Sequence, residues 1–285
     1  MIINKTAILL IAAPDKKGLV YALTDYIYHN NGNILHAEQH IDLSNNIFFM
    51  RIEWDMGTFG IEKAAIWASL EKIKIEYQMH MSLYFSEDKI STAIYISQTD
   101  HCLLELLYNN NQNNLMEIKL IVSNHEKHRE IATYYNIPFY FIPIFKENKG
   151  LQEGRQLSLM QEQKIELIVL ARYMQILSPD FVGLFPHKII NVHHSFLPAF
   201  VGADPYKQAY NRGVKIIGST AHYVTDTLDD GPIISQQTVA VSHKDKYEDF
   251  VEKGKHLEKQ VLLTATRKHL EHKILVFDNK TVVFD

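Results

Sequence analysis

The stretch Asn191-Val-His-His-Ser-Phe-Leu-Pro198 sets an amide and two imidazoles at the end of an apolar run, and Thr227-Leu-Asp-Asp-Gly231 adds carboxylates further along. Asn191 and His193 are two apart, so an extended backbone turns both to one side. An Asn amide can hold a developing oxyanion without exchanging a proton, and such donors contribute roughly 2.7–4 kcal/mol. A His beside it can move a proton near neutral pH. A carboxylate near the imidazole would fix its tautomer or hold an attacking water. Asp229 and Asp230 both qualify, and the residues alone leave that choice open. Taken singly, each feature is also ordinary turn chemistry, and His222 reads as an inward-facing, satisfied histidine. Adjacent His193 and His194 point to opposite faces of a strand and no HExxH spacing occurs, which argues against zinc.

These groups need a strand that delivers them to an open end. Short apolar runs at 90–96, 118–123, 139–142, 167–171 and 189–193 alternate with helical segments, the pattern of a mostly parallel, Rossmann-like α/β sheet covered on both faces. Ligands bind such sheets at the carboxyl ends of the strands, where Asn191 and His193 fall. Runs at 216–224 and 233–241 are expected as antiparallel edge strands, with a long amphipathic helix over 244–269 and two short strands at 274–277 and 281–284. The segment Asn109–Asn114 reads as a polar loop.

Residues 1–85 have a different order: strand, helix, strand, strand, helix, strand, the ferredoxin-like α+β arrangement. Ser44-Asn45-Asn46 is hairpin chemistry, and Gly32 is expected to cap the first helix in the left-handed conformation. The polar Ser86-Glu87-Asp88-Lys89 places the boundary at 86, so that 86–285 forms the second domain. A chain of 285 residues with 46% hydrophobic content has room for two such cores. Its formal charge of -4, from 29 Lys plus Arg against 33 Asp plus Glu, provides no net basicity for nucleic acid. No apolar run approaches the roughly 20 residues that span a bilayer. The apolar N-terminus reads as a strand and not a signal peptide. One cysteine, Cys102, excludes an intramolecular disulfide and suits a reducing, cytoplasmic setting.

Taken together, Asn191-Val-His193, Ser195-Phe-Leu-Pro198, Gly218-Ser-Thr-Ala-His222 and Leu228-Asp-Asp-Gly231 resemble the folate-dependent formyltransferase fold family over roughly residues 88–285. The resemblance implies catalytic roles for Asn191, His193 and Asp229, favouring Asp229 over Asp230. It implies folate contacts at Met174, Gln175 and Leu177 in Ala171-Arg-Tyr-Met-Gln-Ile-Leu-Ser178, with the backbone from Val224 to Asp229 closing the other side and His194 and His222 also facing substrate. Two departures stand out. The amine-transferring relatives have a glycine-rich phosphate loop after their first strand, where this chain has Ser97-Gln-Thr-Asp-His-Cys102. They also have proline after Asn-x-His, where this chain has His194.

Residues 1–85, through Ala13-Pro-Asp-Lys-Lys-Gly-Leu-Val20 and Asn31-Gly-Asn-Ile34, look like an ACT domain. Such domains pair between chains and bind small amino acids, which implies a homo-oligomer and an effector such as glycine or methionine, with Gly18 and Asn33 as loop positions. The combination implies a formyl-folate site open to water: 10-formyltetrahydrofolate as substrate, formate and tetrahydrofolate as products, no separate cofactor and no metal. Transfer to an amine acceptor and a non-catalytic folate or amino-acid sensor are the competing readings.

Overall fold

The structure, a computed structural model, describes residues 5–199 and 204–285. It resolves into two compact units, the first running to Lys89 and including Glu271–Phe277 and Val282–Asp285, the second comprising Ile90–Leu270 and Asp278–Thr281. Residues 1–4 of the N-terminal apolar run lie outside the described part.

The first unit begins with β1 (Thr6–Pro14), α1 (Leu19–His29), β2 (Asn33–Asp42), β3 (Ile47–Asp55), α2 (Lys63–Tyr77) and β4 (His80–Phe85). Its four strands form an antiparallel sheet in the order β2-β3-β1-β4, the ferredoxin-like arrangement. Alternation along β1 sends Ala7, Leu9, Ile11 and Ala13 to the helix side, where they meet Leu19, Leu23 and Ile27 of α1 and Ile66 and Leu70 of α2. The left-handed residue after α1 is Asn31 (φ 59°), not Gly32 as expected. Gly32 is needed for space instead: a Cβ there would lie 2.7 Å from Ile27 Cγ2 and 2.9 Å from Phe59 Cδ2.

The second unit runs β5 (Ser91–Ile96), α3 (His101–Asn113), β6 (Glu117–Ser123), α4 (Arg129–Tyr134), β7 (Phe139–Phe141), α5 (Lys149–Glu162), β8 (Leu167–Ala171), α6 (Pro179–Gly183), β9 (Ile189–His193), α7 (Pro205–Arg212), β10 (Ile216–Tyr223), β11 (Ile233–Ala240) and α8 (Tyr247–Leu270). Seven strands lie in the order β11-β10-β9-β8-β5-β6-β7. Those from β9 to β7 run parallel, and β10 and β11 add antiparallel at one edge. The chain leaves β5 through β6 and β7, then returns to β8 on the other side of β5. Strand order therefore reverses between β5 and β8, and the carboxyl ends there open a crevice. The segment 109–113 is helical, contrary to the loop expectation: Leu103, Leu106 and Leu107 give α3 a buried stripe. Its asparagines bond backwards by one turn, Asn109 Nδ2 to the Glu105 carbonyl at 3.0 Å and Asn113 Nδ2 to the Asn109 carbonyl at 3.1 Å.

The last strands, β12 (Ile274–Phe277) and β13 (Lys280–Val283), pair with each other. The expected second domain to residue 285 therefore ends early, because most of this hairpin belongs with the first unit. Leu10 and Phe49, on the sheet face away from the helices, bury Phe284 with Leu275, Phe277 and Val282 packed around them. Arg51, 3% exposed, adds polar fastening: Nε donates to the His272 carbonyl at 3.1 Å and Nη2 pairs with Glu53 at 2.8 Å.

Candidate active site

Strand β9 carries Asn191 and His193 to its carboxyl end, and antiparallel β10 sets His222 directly opposite Asn191. A register shift in the β10–β11 pairing between Ala221 and His222 is the kind of irregularity that re-aims a side chain at a strand end. His222 Nδ1 lies 2.8 Å from the Tyr223 carbonyl, which can only accept, so Nδ1 carries the proton and Nε2 is the acceptor. Asn191 Nδ2 donates to that Nε2 at 3.2 Å, which fixes the amide and leaves its second N–H for another partner. Burial lowers the His222 pKa, against the opposing pull of the Tyr223 bond and Asp229, so the ring stays neutral.

Asp229 Oδ2 lies 3.2 Å from His193 Nδ1, while its Oδ1 is 3.8 Å from His222 Nε2, too far for a hydrogen bond. Asp230, the alternative carboxylate, is exposed. Asp229 occupies the left-handed region at φ 57°, which Asp tolerates better than most residues. Two residues on, Gly231 lets the turn close against β10, since a Cβ there would fall 1.8 Å from the Tyr223 carbonyl oxygen. Burial pushes the Asp229 carboxyl up, but the His193 bond and the surrounding imidazoles outweigh it and hold the group below the usual carboxylate range. His193 is 5% exposed, and its Nε2 has no hydrogen-bond partner among the described residues. With Nδ1–H committed to a carboxylate, that Nε2 is a free base.

A cavity of about 340 Å³ takes in Asn191, His193, His194, His222 and Asp229, and is walled by residues 172–177 on one side and 224–229 on the other. Met174, Gln175, Leu177 and Val224 all line it. Leu177 is also 8% exposed and belongs to the core of the second unit, so the wall is anchored. Ser97, in the loop after β5, accepts from the Met174 backbone N–H at 3.0 Å and bonds Asn124 at 2.7 Å. That loop, which lacks glycines, braces the cavity wall. Gly18 and Asn33 stand at opposite ends of α1, about 16 Å of helix apart. One chain does not bring them together.

A second buried group lies outside the sequence motifs. Glu258 of α8, 1% exposed, is hydrogen-bonded to His101 Nε2 at 2.7 Å and by the Tyr206 hydroxyl, and forms an ion pair with Arg172 Nε at 3.3 Å without a hydrogen bond. Burial alone would raise the Glu258 pKa, yet these three partners keep it ionised and below its ordinary value. Burial and Glu258 raise the Tyr206 pKa, so its hydroxyl remains the donor. Cys102 lies beside this cluster, but burial keeps it a thiol and Arg172 already neutralises the carboxylate, so the set suits an ion-pair network better than a cation. The signal was present: Gly254, Leu257, Val261 and Leu262 mark the apolar face of α8, and Glu258 is the acid on that face.

The amide, imidazole and carboxylate converge at the end of a parallel strand within residues 90–266, which match the formyl transferase family and place this domain in that class. Formyltetrahydrofolate deformylase of Synechocystis sp. is 48% identical over 282 residues, covering 99% of each chain. The Bacillus subtilis protein of that name is 43% identical over 97% of this chain and 93% of its own. The crystal structure of a formyltetrahydrofolate deformylase from Pseudomonas syringae pv. tomato matches with a TM-score of 0.97 at 40% identity, covering 99% of this chain and 95% of that one. The chain belongs to the formyltetrahydrofolate deformylase family.

Proposed function

We infer that this protein hydrolyses 10-formyltetrahydrofolate to formate and tetrahydrofolate, supplying formate for purine synthesis and balancing one-carbon folate pools. The observation that carries the reading is the free Nε2 of His193, backed by Asp229 and set beside the Asn191 amide at one cavity, in a chain of this family. The pteridine lies between the 172–177 and 224–229 walls, and the formyl group meets Asn191. Water attacks the formyl carbon as His193 Nε2 takes its proton. The carbonyl oxygen becomes anionic against the second Asn191 N–H. His193 then delivers the proton to the folate nitrogen, the C–N bond breaks, and formic acid leaves, giving up its remaining acidic proton to solvent as formate. Asp229 keeps the proton on Nδ1 before the reaction and stabilises the imidazolium during it. Purified protein given 10-formyltetrahydrofolate without any amine is expected to release formate and tetrahydrofolate in equal amounts. Release only in the presence of an amine acceptor would refute the reading.

The first unit functions as an ACT-type regulatory and dimerisation module in a cytoplasmic homo-oligomer. Its ferredoxin-like sheet order and the left-handed Gly18 (φ 96°) at the head of α1 support this, and a second chain would supply what Gly18 and Asn33 lack when apart. The buried thiol of Cys102 suits a reducing compartment, and no helix among the described residues is long and apolar enough to cross a membrane. Glycine or methionine acts as effector by binding one of two states more tightly. Either compound at millimolar concentration is expected to shift both the rate and the thermal midpoint. If neither changes, the effector role is wrong.

A further inference from the structure

Of the side chains at the reacting centre, His194 has no part in the chemistry described above. It lines the 340 Å³ cavity next to His193, with ring centroids 5.3 Å apart, and also borders a second cavity of about 180 Å³ shared with Tyr206 and Ile217. Its ring packs edge-on against Tyr206 at 5.7 Å. Tyr206 cannot move back: it is 6% exposed, its ring lies where a Cβ on Gly254 would be 2.1 Å away, and its hydroxyl is bonded to Glu258. Glu258 is in turn held by His101 and Arg172. His194 is thus backed by Tyr206 and a buried ion-pair network, and its ring stands beside the base on the cavity wall.

We propose that His194, backed by Tyr206 and the His101–Glu258–Arg172 network, restricts the nucleophile to water by occupying the room that the substituent of an amine would need. The inference rests on the hydrolase reading above. Either nucleophile follows the same balance: its O–H or N–H proton passes through His193 to the folate nitrogen, a C–O or C–N bond forms at the formyl carbon, and the C–N bond to folate breaks. The products are formate in one case and an N-formyl amine in the other, with tetrahydrofolate in both. Burial first, and then the Arg172 charge, lower the His194 pKa to about 3, so this ring stays neutral and does not compete with His193 for protons. What remains to it is shape.

The test gives protein 10-formyltetrahydrofolate together with hydroxylamine or glycinamide, and measures tetrahydrofolate, formate and N-formyl product separately. The unaltered protein is expected to form formate almost alone. His194→Ala and His194→Ser should raise the ratio of N-formyl product to formate by about 10-fold or more, the scale on which pocket bulk discriminates substrates. His194→Gln, which restores bulk, should hold the ratio near that of the unaltered protein. Unchanged ratios in the small variants while tetrahydrofolate still forms would overturn this inference alone. Loss of all turnover in both small variants with folate binding retained would also overturn it, by placing His194 in the chemistry. If the unaltered protein consumes no 10-formyltetrahydrofolate, the hydrolase reading falls, and the inference with it.

Discussion

Asp229→Asn is expected to lower kcat by about 10³- to 10⁴-fold, on the scale seen when a buried carboxylate behind a catalytic imidazole is made neutral. The amide that replaces the carboxylate can donate to His193 Nδ1, which would move the imidazole proton to Nε2 and remove the free base. It would also remove the charge that stabilises the imidazolium. Because Asp229 acts through its 3.2 Å contact with His193, the loss should appear in kcat, with folate affinity nearly kept. Formate release and a fluorescence titration with tetrahydrofolate separate the two. Asp230→Asn, at an exposed position, should behave like the unaltered protein. Equal effects at the two positions would show that charge in the turn matters and the His193 contact does not. The sign of the pH effect follows from the lowered Asp229 pKa. Folding favours the ionised carboxylate, so its contribution is present above the unfolded-state value and is lost as pH falls through the lower folded value.

Asn191→Ala is the second large effect: about 10²- to 10³-fold in kcat, the range for deleting one oxyanion donor. The donor is preorganised, since its other N–H is committed to His222 Nε2 at 3.2 Å and His222 is itself held by the Tyr223 carbonyl. Little reorganisation is then needed when the carbonyl oxygen gains charge. An interaction made only in the transition state lowers kcat and kcat/KM together. A rise in KM with kcat unchanged would instead assign Asn191 to ground-state binding. Asn191→Asp should lose more than the alanine variant, because a carboxylate would face the developing oxyanion.

How much of this was legible beforehand differs from element to element. Strand 167–171 is readable to the residue because a strand buried on both faces of a parallel sheet is a short uninterrupted apolar run, and 189–193 is readable from Ile189, Ile190 and Val192 although Asn191 and His193 interrupt its apolar pattern. Asn191 and His193 were readable as a pair, since two-residue spacing on a strand is a local property. The polar run 109–113 misled because its side chains bond within their own helix, and composition does not reveal that. Gly32 misled by one residue, because a glycine can be required for space as well as for φ.

What the sequence determined by itself was local: the element order, the fold class, and a strand that carries an amide and an imidazole on one face. The tertiary structure decided what meets them. Asp229 and Asp230 are neighbours in one turn, and a left-handed φ at Asp229 and the close approach of Gly231 to β10 select which carboxylate reaches His193. The final hairpin joins the first unit because Leu10 and Phe49 have a second face to bury. Glu258 meets His101 and Arg172 across long stretches of chain. Such contacts obey no period along the sequence. They form because a buried carboxylate is tolerable only where partners from other elements satisfy it.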